Sequence, residues 1–147
     1  MPHSYEWLNR IKAVEREYVA MHQAAEHFRQ AARDDPTILG GDLRQAEIEM
    51  ACRNLEGTYV MRLFAEFETG ARQCWVAKWG TEPGTFDLLE GLAARCSIRD
   101  TDRQNAHRVR DYRNRLVHER EDETEAVSVR EVRAFLCRFF SHLPARW

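Results

Sequence analysis

The stretch YEWLNRIKAVEREYVAMHQAAEHFRQAAR, residues 5–33, decides the fold. Within it Ile11, Val14, Tyr18, Met21, Ala25, Phe28 and Ala32 recur in steps of three and four, which puts them on one stripe of an α-helix. Pro36, after Asp34 and Asp35, ends this first helix, because proline lacks a backbone donor and pushes the preceding residue out of helical geometry. Gly40 and Gly41 open a turn, and Asp42 with Gln45 three residues on predicts the cap of a second helix. Its apolar stripe runs through Leu43, Ala46, Met50, Val60, Phe64, Phe67, Ala71 and Trp75, with a stop at Gly80 and Pro83-Gly84 and a weak point, expected to kink, at Gly57. Thr85 is the expected cap of a short third helix carrying Leu88, Leu89, Leu92, Ala93 and Cys96, and Asp100 or Thr101 that of a fourth with Ala106, Val109, Tyr112 and Leu116 inward. An acidic stretch, residues 119–125, reads as a solvated loop. Ser128 and Glu131 then form a capping box ahead of Val129, Val132, Phe135, Leu136, Phe139 and Leu143. No segment sustains a period of two, so the expectation is an all-α bundle of four to five helices forming one domain over residues 1–147.

Composition narrows the function. Lys and Arg total 22 against 24 for Asp and Glu, a formal net charge of −2, which excludes a uniformly basic nucleic-acid binder. No purely apolar run exceeds four residues, so neither a membrane span nor a signal-peptide core is present, no membrane partner is expected, and the expected location is the cytoplasm. Cys52, Cys74, Cys96 and Cys137 contain no CxxC pair and read as reduced thiols of the core. GxGxxG and GxxxxGK[ST] are absent, and no strand precedes a helix, so dinucleotide and P-loop chemistry fall away. HExxH is absent, no acid stands three residues before a histidine, and His22 and His27 point about 140° apart on a helix. No metal and no cofactor are expected.

The fourth helix stands apart. Residues 95–120 hold eight arginines and four acids, a local excess of positive charge in an acidic chain. Such asymmetry aims a polyanion at one face while the rest of the surface repels it. Arg108, Arg110, Arg115 and Arg120 are the candidate contacts; the alternative is a solvated helix laced by pairs such as Arg115 with Glu119.

Near the end of that helix stands Arg113-Asn114-Arg115-Leu116-Val117-His118, preceded by Asp111-Tyr112 and followed by a polar loop and a last amphipathic helix. Arg16 to His22 satisfies the looser spacing of an arginine and a following histidine, but requiring Asn after the arginine leaves this one match. The segment resembles the RN-x-x-x-H signature of HEPN domains, all-α domains many of which are ribonucleases acting as toxins or RNA-processing enzymes in microbial defence. The resemblance implies an HEPN-like bundle and a metal-independent endoribonuclease with RNA as partner. It equally allows a non-catalytic nucleotide-binding or adaptor module on the same fold.

RNA carries its own nucleophile, the 2′-hydroxyl, so a metal-free enzyme must take that proton, stabilise the phosphorane and protonate the leaving 5′-oxygen. Imidazole exchanges protons near neutral pH, its ordinary pKa being ~6.5, which suits His118. Arg113 offers a planar fork to phosphate oxygens, and Asn114, four residues before His118, shares its helical face and can orient it. Arg113 and His118 lie about 140° apart on an ideal helix, and in-line displacement needs proton-transfer groups on both sides of phosphorus. Two motifs facing across a twofold axis meet both demands, and HEPN ribonucleases are similar in being dimers with a composite cleft. Glu68, at the edge of the second stripe, is a candidate to hold Arg113, with a pair to Arg72 as the alternative. Tyr112 is a candidate base-stacking residue, with packing on Leu116 as the alternative. HEPN toxins controlled through AMPylation carry a tyrosine two residues after the motif histidine, where this chain has Arg120, so a partner antitoxin or neighbouring-gene protein would have to act in another way.

Overall fold

A computed structural model describes residues 3–118 and 124–147. Five helices follow in order: α1 (Ser4–Asp34), α2 (Gln45–Trp79), α3 (Thr85–Arg95), α4 (Asp100–His118) and α5 (Val129–Ser141), with a 3-10 turn (Pro36–Ile38) after α1. The architecture is the expected all-α bundle. Among the described residues no strand forms, and one isolated antiparallel bridge, His3 to Arg146, ties the two ends of the described chain together.

α2 is the central element. Its Val60, Leu63, Phe64, Phe67, Ala71 and Cys74 are fully buried against Ile11 of α1, Leu88, Leu89 and Leu92 of α3, Ala106 and Val109 of α4, and Val132, Leu136, Phe139 and Phe140 of α5. Each large side chain so buried stabilises the fold by roughly 1.5–3 kcal/mol relative to exposure. Phe67 meets Phe139 and Phe140 edge-on at 5.5 and 6.1 Å between ring centroids, the arrangement that aromatic quadrupoles favour. Gly70 is what lets α1 close on α2, since a Cβ there would stand 2.7 Å from the Trp7 indole.

Three starting signals differ from expectation. Asp42 does not cap α2; the helix begins after Arg44, whose backbone N–H donates to the Glu47 carboxylate at 2.8 Å, so the reach-back comes from the third helical residue and not from the turn. Thr85 is the first residue of α3 and not its cap, because its hydroxyl donates at 2.6 Å to Glu68 on α2. α4 begins at Asp100 itself, whose carboxylate is taken by Arg103 and Gln104. The α5 box is as expected: Glu131 N–H donates to Ser128 Oγ at 3.2 Å, and Ser128 N–H to the Glu131 carboxylate at 3.1 Å. α2 runs unbroken through Gly57, where the kink was expected and where Leu116 of α4 packs instead.

The stripes of α1 and α2 are buried only over part of their length. Met21, Phe28 and Met50 are exposed, and Ala32 is the one buried residue in 18–34. α1 and α2 are longer than the other three helices, so their far ends form an antiparallel hairpin, tied at its base to α5 by the Val129 N–H, which donates to Glu56 at 3.0 Å. There the Tyr18 hydroxyl donates to Glu56 at 3.1 Å, and Arg29 and Arg33 both pair with Glu49. All four cysteines are free thiols; Cys74 lies in the core and Cys96 and Cys137 pack against it, as expected, whereas half-buried Cys52 lies outside it in the hairpin. Among the described residues no helix is long and apolar enough to cross a membrane.

Candidate functional site

α4 presents its inner face through Ala106, Val109 and Tyr112, all buried, and this fixes where its polar residues point. At ~100° per residue the steps Arg103, His107, Arg110, Asn114 and His118 stay within one narrow stripe on the side of α3, while Arg108 and Arg115 fall on the opposite flank, toward α5. The guanidinium of Arg108 accordingly lies over the Phe135 ring of α5. The arginine-rich helix is therefore two lines of charge and not one patch. Arg120 and Glu119 lie outside the described residues.

Arg113 leans inward, toward α2. Its guanidinium sits over the Phe64 ring at 5.5 Å and donates to Asn114 Oδ1 at 2.9 Å. Asn114 thus positions Arg113 through its carbonyl oxygen, although it was expected to serve His118. His118 is the exposed last residue of α4. Among the described residues no hydrogen bond joins it to Arg113 or Asn114, so the two motif ends share one helix terminus without a direct polar link.

Glu68 makes its direct bonds elsewhere: Arg72 at 2.7 Å and the Thr85 hydroxyl at 2.6 Å. The alternative reading, a pair with Arg72, is the one observed. Burial alone would raise this carboxyl, but the Thr85 hydroxyl, Arg72 and the nearby charge of Arg113 together hold it below the usual carboxylate range. Arg72 in turn donates to the Pro83 carbonyl at 2.5 Å, so the α2–α3 turn, Glu68 and the approach to Arg113 are one linked unit. Tyr112 is 8% exposed and belongs to the core, with Arg115 stacked on it, so it packs and offers no open face to a base.

Periodicity alone misses four residues. His107 donates or accepts at 2.8 Å with Glu90 of α3, Arg103 pairs with the same carboxylate at 2.7 Å, and Phe86 leans on the His107 ring at 4.9 Å. Burial, opposed by the Glu90 hydrogen bond and assisted by the charges of Arg110 and Arg103, pushes the His107 imidazole below its ordinary value. The neutral ring therefore donates its Nε2 hydrogen to Glu90, and its buried Nδ1 has no partner among the described residues. The i,i+4 spacing of Arg103, His107 and, one turn on, Arg110 carries part of this signal in the sequence.

No protein-family model, curated protein or solved structure matches this chain. The site must speak through its own chemistry. Among the described residues no group of three or more His, Cys, Asp or Glu side chains is placed to hold a metal ion. What the arrangement offers is a fixed guanidinium, an exposed imidazole one turn farther along the helix, and a flanking line of cations.

Proposed function

We propose that this chain is an HEPN-type endoribonuclease that cleaves RNA without a metal, by attack of the 2′-hydroxyl on the adjacent phosphorus. The observation that carries the reading is the RN-x-x-x-H segment at the end of α4, with Arg113 held by Asn114 and Phe64 and His118 exposed. A prepositioned guanidinium costs little ordering entropy when it meets a phosphate, which is the condition for stabilising a phosphorane. His118 removes the 2′-hydroxyl proton as the O2′–P bond forms; the P–O5′ bond breaks, and the leaving oxygen takes a proton from His118 of the partner subunit. The products are a 2′,3′-cyclic phosphate and a 5′-hydroxyl, so no water is consumed in this step. Glu68 and Arg72 act at one remove, by fixing the α2–α3 turn beside Arg113.

Arg113→Ala and His118→Ala should each lower cleavage of single-stranded RNA by about 10²–10⁴-fold with helical content unchanged, whereas His22→Ala, far along α1, should leave it intact. Cleavage should survive EDTA, and a 2′-deoxy substitution at the cut site should block it. Full activity in both motif variants, or normal cutting of the deoxy substrate, sinks the mechanism. RNA binding with no cleavage by the unmodified chain assigns it instead to the adaptor reading. A toxin or defence role, and an antitoxin as partner, follow from the same resemblance and stand or fall with it.

A further inference from the structure

The apolar residues of α3 are sorted sharply. Leu88, Leu89 and Leu92 are fully buried, while Phe86, in the first turn, is 54% exposed. A lone exposed aromatic is ordinary, but the surroundings of this one are not. The guanidinium of Arg110 lies over its ring at 4.9 Å, and the His107 ring stands at 4.9 Å, tilted by 40°. Together they wall a cleft of about 300 Å³ between α3 and α4, enough space for one flat heterocycle. Glu90 and Asp111 border it, each using one carboxylate oxygen: Oε1 of Glu90 serves Arg103 and His107, and Oδ1 of Asp111 serves Arg110. The second oxygen of each has no side-chain partner among the described residues.

From this we infer that the α3–α4 cleft is a nucleobase subsite for single-stranded RNA. A base stacks on the open part of the Phe86 ring, Arg103 and Arg110 meet the flanking phosphates, and the spare oxygens of Glu90 and Asp111 accept hydrogen bonds from an exocyclic amino group. Every base has a π-face, so stacking supplies affinity, while carboxylate acceptors favour adenine, cytosine or guanine over uracil, which has no amino group. The inference rests on the RNA reading above and deepens it. From His107 to His118 is eleven residues, about 16 Å along the helix axis, so successive nucleotides of one strand can occupy the subsite and the motif end of α4 together.

Fluorescence anisotropy with short labelled oligo(A), oligo(C) and oligo(U) tests this in the His118→Ala background, where the strand stays whole. Oligo(A) and oligo(C) should bind roughly fivefold or more tightly than oligo(U). Phe86→Ala should weaken oligo(A) by about tenfold or more, Phe86→Trp should restore it, and heparin, a polyanion without bases, should bind all three proteins alike. Equal affinity for oligo(U) overturns the amino-group selection. Unchanged oligo(A) binding in Phe86→Ala, an equal loss for heparin, or no RNA binding by the parent overturns the subsite. The two proposals separate cleanly: weakened oligo(A) binding in Phe86→Ala beside no cleavage by the unmodified chain keeps the subsite and removes the nuclease, whereas unchanged binding in Phe86→Ala beside cleavage lost in both motif variants does the reverse.

Discussion

His107 is a histidine whose hydrogen bonds are half made. Its Nε2 has Glu90, its Nδ1 has no partner among the described residues, and burial keeps it from accepting a second proton at the ordinary value of 6.5. In the unfolded chain that proton binds near 6.5, whereas the folded chain takes it only at lower pH. The unfolded state therefore holds more protons below 6.5, and stability falls as pH drops through that point. Glu90, a half-exposed acid, shifts downward: the Arg103 and His107 hydrogen bonds hold it below its ordinary value, so its stabilisation persists above the carboxylate range and fades only as the solution becomes more acidic still. Between about pH 6.5 and 5 the histidine thus dominates this pair. Urea unfolding at pH 7 and pH 5.5 should show a loss of stability that shrinks in His107→Gln; an unaltered loss in the variant would contradict the assignment. The motif residues were legible in the sequence because their chemistry lies within six consecutive positions. The pairing of His107 with Glu90 was not, since it joins residues 17 apart on different helices, and no local pattern encodes which carboxylate a helix face will meet.

For the elements, periodicity identified every helix and its inward face, yet it could not say what would cover that face. Met21 and Phe28 share the stripe of Ile11 and Val14 and differ from them only in lying beyond the reach of α5. Caps show the same division. Ser128 and Glu131 were readable because the reciprocal bonds close within four residues, whereas Asp42 resembles a cap and the backbone turns past it. Ser128→Ala should therefore cost about 1 kcal/mol, measured by thermal or denaturant unfolding, and Asp42→Ala should cost nothing measurable. Equal losses would mean that the α2 start is set by the turn after all. Thr85 illustrates a cap-type residue diverted by tertiary demand: its hydroxyl secures Glu68, and Gly84 takes the flanking place.

At the scale of the molecule, the proposed in-line mechanism asks for proton-transfer groups on both sides of phosphorus, and the proposal therefore calls for a second copy with its own α4 terminus across a twofold axis. Light scattering should give a mass near twice 17.3 kDa, and specific activity should fall on dilution below the dissociation constant. Val117, exposed at 47% at a variable position within the motif, is an apolar position suited to that contact. Val117→Glu should then lower both mass and activity while sparing the fold. A fully active monomer at every concentration would exclude the shared cleft.

The long hairpin of α1 and α2 bears on how such a measurement is made. At ~1.5 Å per residue the 35 residues of α2 extend about 52 Å, against a diameter of about 39 Å for a sphere with the radius of gyration of a compact chain of this length. A body with so long an axis experiences more translational friction than a sphere of equal mass. Its Stokes radius is enlarged accordingly, and a single copy leaves a sizing column early, ahead of round standards of its own weight. Elution position alone would overstate the mass slightly, whereas scattered intensity, which reports mass and not shape, would not.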